Sequence, residues 1–379
     1  MISSFVLPAL LLLTAELLLR LLSPGLPARG DARADVKVMR RATSLEAPGV
    51  GWVLDPGSRV VQSYDEPDDL GGWKTREVIY QINSLGFRGA ETTLEPAPDV
   101  YRIAVLGDSF TFGTAIKFEH TWPEALRRNL ERARPNSSRV EVLNFAMEAI
   151  HTGQEVALLE NRVLAFEPDL VIVAVHANDA SGSGLEPPSR PEADPRVDWI
   201  VRLGLTSGRR APGTERSPAE RRLSSWRSAS RLIDLLAHRL YYALYGSIYV
   251  DNCCADWSEQ SAGRAAFRAA LGRASNLSEL HGFELLVVHY PVLAGFDSDY
   301  PLAPVRDAVA EDCRNLRLDF LDLLPDFQGQ DGKALWAHPH DFHPGPTANR
   351  IAGAAVAAHL LAPSAEREET VQNAEPHSE

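Results

Sequence analysis

Residues 102–113 read RIAVLGDSFTFG, an apolar run that breaks at Gly107-Asp108-Ser109 and resumes with Thr111 and Gly113. The run has the unbroken apolar character of a buried strand, and the glycine marks where it ends. A serine hydroxyl attacks only when a base takes its proton and its oxygen stands clear of the backbone. A sharp strand-to-helix turn flanked by glycine supplies the second condition. The helix predicted to follow Ser109 adds partial positive charge where negative charge develops, and Asp108 is placed to cap it. A Gly-Asp-Ser turn also occurs as plain turn structure, so Ser109 gains meaning only from partners elsewhere in the chain.

Outward from that turn the chain alternates between two periods. A helical pattern near Trp122–Ala133 is followed by strand-like VEVLNF at 140–145, a helix near Gly153–Phe166 and the apolar run DLVIVAVHAND at 169–179. After Asn178 comes a polar, Pro-rich insertion, about 180–231, then helical segments near 218–245 and 258–280. Strand-like FELLVVHYP at 283–291, a helix near Pro304–Leu316, LDFLDLL at 318–324 and an Ala-rich helix over Thr347–Leu361 complete the series. Unbroken apolar strands separated by helices predict an α/β fold with a doubly wound parallel sheet in three α/β/α layers, flavodoxin-like, over residues 101–362. Sites in such sheets lie beyond the carboxyl ends of the strands. Ser109, the stretch Ala146–Ile150, Asn178 and a late loop with Asp341 and His343 all fall at that edge.

With 379 residues and 45% hydrophobic content the chain can bury a full core. Asp plus Glu number 51 against 38 Lys plus Arg, a formal net charge of -13 that argues against a nucleic-acid partner. The arginines from Arg209 to Arg231 read as a solvated face of the insertion. Three cysteines exclude a disulfide-rich scaffold, although one bridge from Cys253 or Cys254 to Cys313 stays open.

The first 22 residues, MISSFVLPALLLLTAELLLRLL, predict a signal anchor in a membrane, with the following domain extracytoplasmic. Arg29, Arg33, Lys37, Arg40 and Arg41 follow it, and the positive-inside rule would hold that side in the cytoplasm, so the two expectations oppose each other. Residues 23–50 read as a tether, 51–100 as a small β-rich appendage, and 363–379 as a frayed polar tail.

Four blocks, GDSFTFG, NFAMEA, HAND and HDFHPGPTANRIA, resemble the SGNH subgroup of the GDSL hydrolases over residues 102 to about 360. The preceding INSLGFRGAE is similar to the lead-in of anchored members. The resemblance implies Ser109 as nucleophile, His343 as general base and Asp341 as its orienter. It also implies an oxyanion hole from the Ser109 and Ala149 amides and the Asn178 side chain. Family patterns usually carry glycine where this chain has Glu148-Ala149, and a second glycine where it has His176. Many members space the aspartate three residues before the histidine, whereas Asp341 stands two before His343.

The same roles follow from chemistry. Acyl transfer needs an imidazole to take and return the serine proton, an acid to fix its tautomer, and donors aimed at the oxyanion. The expected activity is hydrolysis of acyl esters, O-acetyl esters among them, of a carbohydrate or lipid by a monomeric enzyme without cofactor. The same residues serve O-acyl transfer to a glycan, and a non-catalytic glycan-binding module is a third reading. A fourth starts from His338, His340, Asp341 and His343, three imidazoles and a carboxylate able to hold zinc in a hydrolase. His151, His176 and His289 read as hydrogen-bonded structural histidines.

Overall fold

The computed structural model describes residues 12–18, 39–41, 48–67, 73–133, 139–180, 232, 246–296, 299–338 and 341–363. The chain divides into two units. The larger holds every candidate site residue and is built on a five-stranded sheet. Its strands are β5 (Val100–Leu106), β6 (Arg139–Asn144), β7 (Leu170–Val175), β8 (Glu284–His289) and β9 (Asp319–Asp322). They lie in the order β6-β5-β7-β8-β9, all parallel, with Ile103 opposite Leu170 and Leu170 opposite Glu284. Central β7 is buried at every position, as its LVIVAV sequence requires once helices cover both faces. The protein therefore has a doubly wound α/β fold, a parallel sheet covered by helices on both faces.

This strand order reverses direction between β5 and β7. The chain first steps outward from β5 to β6, then crosses back to β7 and continues the other way. A reversal leaves a crevice at the carboxyl ends of the two strands beside it, the usual place for a ligand in an open α/β sheet. The segments that leave those two strands are Gly107-Asp108-Ser109 and His176–Asn178.

The helices are α1 (Ser109–Phe112), α2 (Trp122–Ala133), α3 (Thr152–Asn161), α4 (Ala262–His281), α5 (Ala303–Leu316), α6 (Leu324–Phe327) and α7 (Pro346–Leu361). One layer pairs α2 with α7; the other packs α3 against α4 and α4 against α5. Helices α2 and α7 approach closely because Gly353 faces the α2 backbone: a Cβ there would lie 2.5 Å from Ala125 Cβ and 2.7 Å from the Trp122 carbonyl oxygen. Buried Asn349 fixes the same junction. Its Oδ1 accepts the Trp122 N–H at 2.8 Å, and its Nδ2 donates to the carbonyls of Pro344 and Gly345.

Three expectations change, and one open question closes. The pattern over 153–166 is not one helix: α3 ends at Asn161 and a 3₁₀ turn covers Val163–Phe166, closed by Glu167 in the left-handed region. The tether contains structure, since β1 (Met39–Arg41) pairs antiparallel with β2 (Trp52–Leu54), and Gln154 Nε2 holds the Val50 carbonyl at 2.6 Å. A short polar strand carries no periodic signal; its partner strand and the helix beside it supply its order. The late loop is a hairpin of β10 (Trp336–His338) and β11 (Asp341–Pro344). Finally, Cys253, Cys254 and Cys313 stand as thiols, and no bridge joins the pair to Cys313.

The appendage supplies β3 (Arg59–Pro67) and β4 (Trp73–Gln81), a two-stranded sheet. In the smaller unit residues 12–18 are helical, as are 246–252. No described helix is long and apolar enough to cross a membrane. Most of the expected anchor, the insertion from 181 to 231, nearly all of the segment 218–245 and the tail from 364 lie outside the described residues.

Candidate active site

Ser109 opens α1 directly after β5. Asp108 caps this short helix, its Oδ1 accepting the Phe110 N–H at 2.8 Å. Gly107 cannot carry a side chain, because a Cβ would run into Thr111, 2.7 Å from the threonine Cβ. Gly113 closes the helix at φ 86°, a left-handed cap that glycine adopts without strain. The Ser109 carbonyl accepts the N–H groups of Gly113 and Thr114, so the nucleophile candidate is held from both sides of a single turn.

His343 comes from β11. Its Nε2 lies 2.8 Å from Ser109 Oγ, although 234 positions separate the two in sequence. Both side chains are half-buried. Of Asp341 the backbone alone is described: it sits two positions earlier in the same strand, opposite His338. A strand returns to one face every second residue, so a spacing of two belongs to a strand as a spacing of three or four belongs to a helix. His340 lies outside the described residues, and no cluster able to hold a metal forms among the described ones.

The second block is tied to α1. Buried Asn144 donates from Nδ2 to the Thr111 carbonyl at 2.9 Å and accepts the Ala146 N–H at 3.1 Å. Thr114 Oγ1 donates to Glu148 Oε1 at 2.5 Å. Ala149 stands at φ 58°, the left-handed region. An alanine there is strained by about 1–2 kcal/mol, so the usual glycine has a physical reason, and this chain tolerates the strain where the fold already fixes the neighbours.

Asn178 lies in the turn that leaves β7. Its position is set by Asp179, whose Oδ2 accepts the His176 N–H at 2.5 Å while its own N–H donates to the His176 carbonyl at 3.0 Å. The His176 ring stacks on Phe110 at 3.7 Å between centroids and engages the Tyr290 carbonyl through Nδ1 at 3.0 Å. Burial lowers the His176 pKa to about 4, against the opposing pull of Asp108. The ring is therefore neutral, with Nδ1–H donating to Tyr290. His151 instead accepts the Gly153 N–H and closes a capping box at the start of α3, and His289 Nδ1 pairs with Asp322 Oδ1 at 2.8 Å.

Beneath these turns lies a buried carboxyl group that sequence reasoning did not single out. Glu155 is fully buried, and neither oxygen meets a hydrogen-bond partner among the described residues. Burial, then the charges of Asp179 and Asp108, hold its pKa well above the usual carboxylate range; burial and Asp108 do the same for Asp179. An acid whose folded pKa exceeds its unfolded value keeps its proton while the unfolded chain gives it up. Its stabilisation is full below the unfolded pKa and is lost as pH rises toward the folded one. His176 acts oppositely, losing stability as pH falls from about 6.5 to about 4. A Glu155→Gln variant keeps shape and removes the titration, so its melting temperature should exceed that of the wild type by a margin that widens as pH rises above the ordinary carboxylate range. A constant or shrinking margin in a thermal-melt series would contradict a proton held on Glu155.

The model of the GDSL-like Lipase/Acylhydrolase family matches residues 105–351. No curated protein matches the sequence. Among solved structures, a putative lipolytic protein of the G-D-S-L family from Desulfitobacterium hafniense DCB-2 shares 13% identity over 68% of this chain and 98% of that one, with a TM-score of 0.38. The acetylxylan esterase Axe2 from Geobacillus stearothermophilus shares 12% identity over 69% of this chain and 95% of that one, with a TM-score of 0.40. A family match that runs from the end of β5, through the nucleophile turn, into α7 covers most of the chain, and the protein belongs to the GDSL-like lipase/acylhydrolase family, whose members are ester-hydrolysing serine hydrolases.

Proposed function

We propose that the protein hydrolyses acyl esters through a covalent intermediate on Ser109, and that acylated carbohydrates or lipids are its substrates. The observation that carries the reading is the 2.8 Å approach of His343 Nε2 to Ser109 Oγ. At that distance the imidazole takes the hydroxyl proton as Oγ attacks the ester carbonyl, and returns it to the departing alcohol oxygen. Water then attacks the acyl-serine, giving its proton to the same nitrogen, which passes it to Oγ as the acyl–Oγ bond breaks, so that the acid leaves and Ser109 is regenerated. In this scheme Asp341 accepts from Nδ1 and fixes the reactive tautomer. The Ser109 and Ala149 amides with the Asn178 carboxamide receive the oxyanion. The residue types and chain order of the four blocks support these roles, and the apolar first 22 residues support attachment to a membrane.

A fluorophosphonate probe tests the scheme. Labelling of the wild type should map to Ser109 and vanish in Ser109→Ala; equal labelling of both proteins rejects a serine intermediate. Following an acetylated glycan donor with and without an acceptor glycan then shows whether water or a sugar hydroxyl takes the acyl group.

A further inference from the structure

Arg88 is wholly buried, yet it belongs to the loop that precedes the sheet. The loop is shaped by Asn83, whose Oδ1 accepts the N–H groups of Leu85 and Phe87 and whose Nδ2 donates to the Ala90 carbonyl. Its product is a guanidinium aimed at the far end of the nucleophile turn. Arg88 Nη1 donates to the carbonyls of Phe112 at 2.6 Å and Gly113 at 2.7 Å, and Nη2 donates to that of Ile116 at 2.7 Å. The rings of Tyr80 and Phe112 flank it at 4.5 and 4.9 Å. Tyr80 adds a further tie by accepting the Ala115 N–H through its hydroxyl at 2.7 Å.

These contacts bear on Ser109 by a short covalent path. A helix end carries partial negative charge on its last carbonyls, and a fork of fixed N–H donors satisfies several of them at once. The carbonyls that Arg88 holds belong to the residues that end α1 and follow it, and the amides of Gly113 and Thr114 in that segment bind the Ser109 carbonyl. Ala115, at φ 64°, is strained in the left-handed region and stays there because its neighbours are fixed.

We propose that Arg88 is a positioning residue for the nucleophile: it clamps the segment 112–116 and thereby sets where Ser109 Oγ stands relative to His343 Nε2. The segment 83–90 is then a part of the catalytic apparatus. The inference rests on Ser109 being the nucleophile.

Removing the fork should misplace the reacting oxygen by a fraction of an ångström to an ångström, an error worth up to about 100-fold in rate. The test measures fluorophosphonate labelling of Ser109 together with kcat and KM of the full chain, for wild type, Arg88→Met and Arg88→Lys. Expected is a fall of about 10- to 100-fold in kcat and labelling rate for Arg88→Met, KM changed less than about threefold, and partial recovery in Arg88→Lys, which keeps the charge without the fork. Circular dichroism and thermal melting establish which variants are folded. A folded Arg88→Met labelled at the wild-type rate overturns the clamp. If that variant does not fold, Arg88→Lys decides: wild-type labelling and kcat overturn the clamp, and a selective loss of kcat upholds it. An unlabelled wild type removes the serine mechanism itself and the clamp with it.

Discussion

His343→Ala should lower kcat by about 10⁴-fold or more while KM stays within a few-fold of the wild type. The reason is the division of labour at Ser109. Substrate contacts form before any proton moves, whereas the imidazole is needed only as Oγ attacks and as the alcohol departs. A loss confined to kcat marks an interaction made in the transition state. Because His343 Nε2 and Ser109 Oγ form one hydrogen-bonded unit at 2.8 Å, their effects should not add: Ser109→Ala with His343→Ala should be no slower than either single variant. Steady-state kinetics on an activated acyl ester provides the check. If His343→Ala keeps more than about a tenth of wild-type kcat, another group takes the proton and the hairpin has only a structural task.

Much of this site is legible in the sequence because its parts sit where the period of the chain changes. RIAVLGDS and LVIVAVHAND end as apolar runs that meet polar residues, and a parallel sheet gathers all such ends at one edge. The order β6-β5-β7-β8-β9 adds that β5 and β7 flank the reversal, which is why those two ends matter most. Helix bounds come through nearly intact where a cap or a proline marks them, as at Pro304 near the start of α5.

What the sequence hides has a common physical cause. Arg88 grips carbonyls 24 to 28 residues ahead of it, and a backbone acceptor leaves no trace in residue identity. By composition a lone arginine reads as a solvated surface charge. Glu155 is hidden for the same reason, as an acid inside an otherwise ordinary helix pattern. The pairing of Met39–Arg41 with Trp52–Leu54 depends on a partner strand, not on any period within three residues. Ala149 differs again. The block that contains it is readable, but its left-handed φ is a property of the turn between β6 and α3 and not of the residue type.

Asn178→Ala should cost about 10²–10³ in kcat, equivalent to about 2.7–4 kcal/mol, with KM changed less than about threefold. A carboxamide stabilises an oxyanion to this degree only if it is already oriented when charge appears, since reorganisation would consume the gain. The turn meets that condition. Asp179 locks it from both ends through His176, and His176 is itself pinned by Phe110 on one side and the Tyr290 carbonyl on the other. Phe110 follows Ser109 in sequence, so the turn that carries Asn178 and the turn that carries Ser109 share one stacked pair of rings. Asn178→Asp is the sharper variant: it keeps the shape but sets a negative charge beside a developing one, and should be slower than Asn178→Ala. Comparing kcat and KM of both variants on one ester separates the roles. A raised KM with kcat intact would make Asn178 a ground-state binding residue, and Asn178→Asp faster than Asn178→Ala would place the oxyanion elsewhere in the crevice.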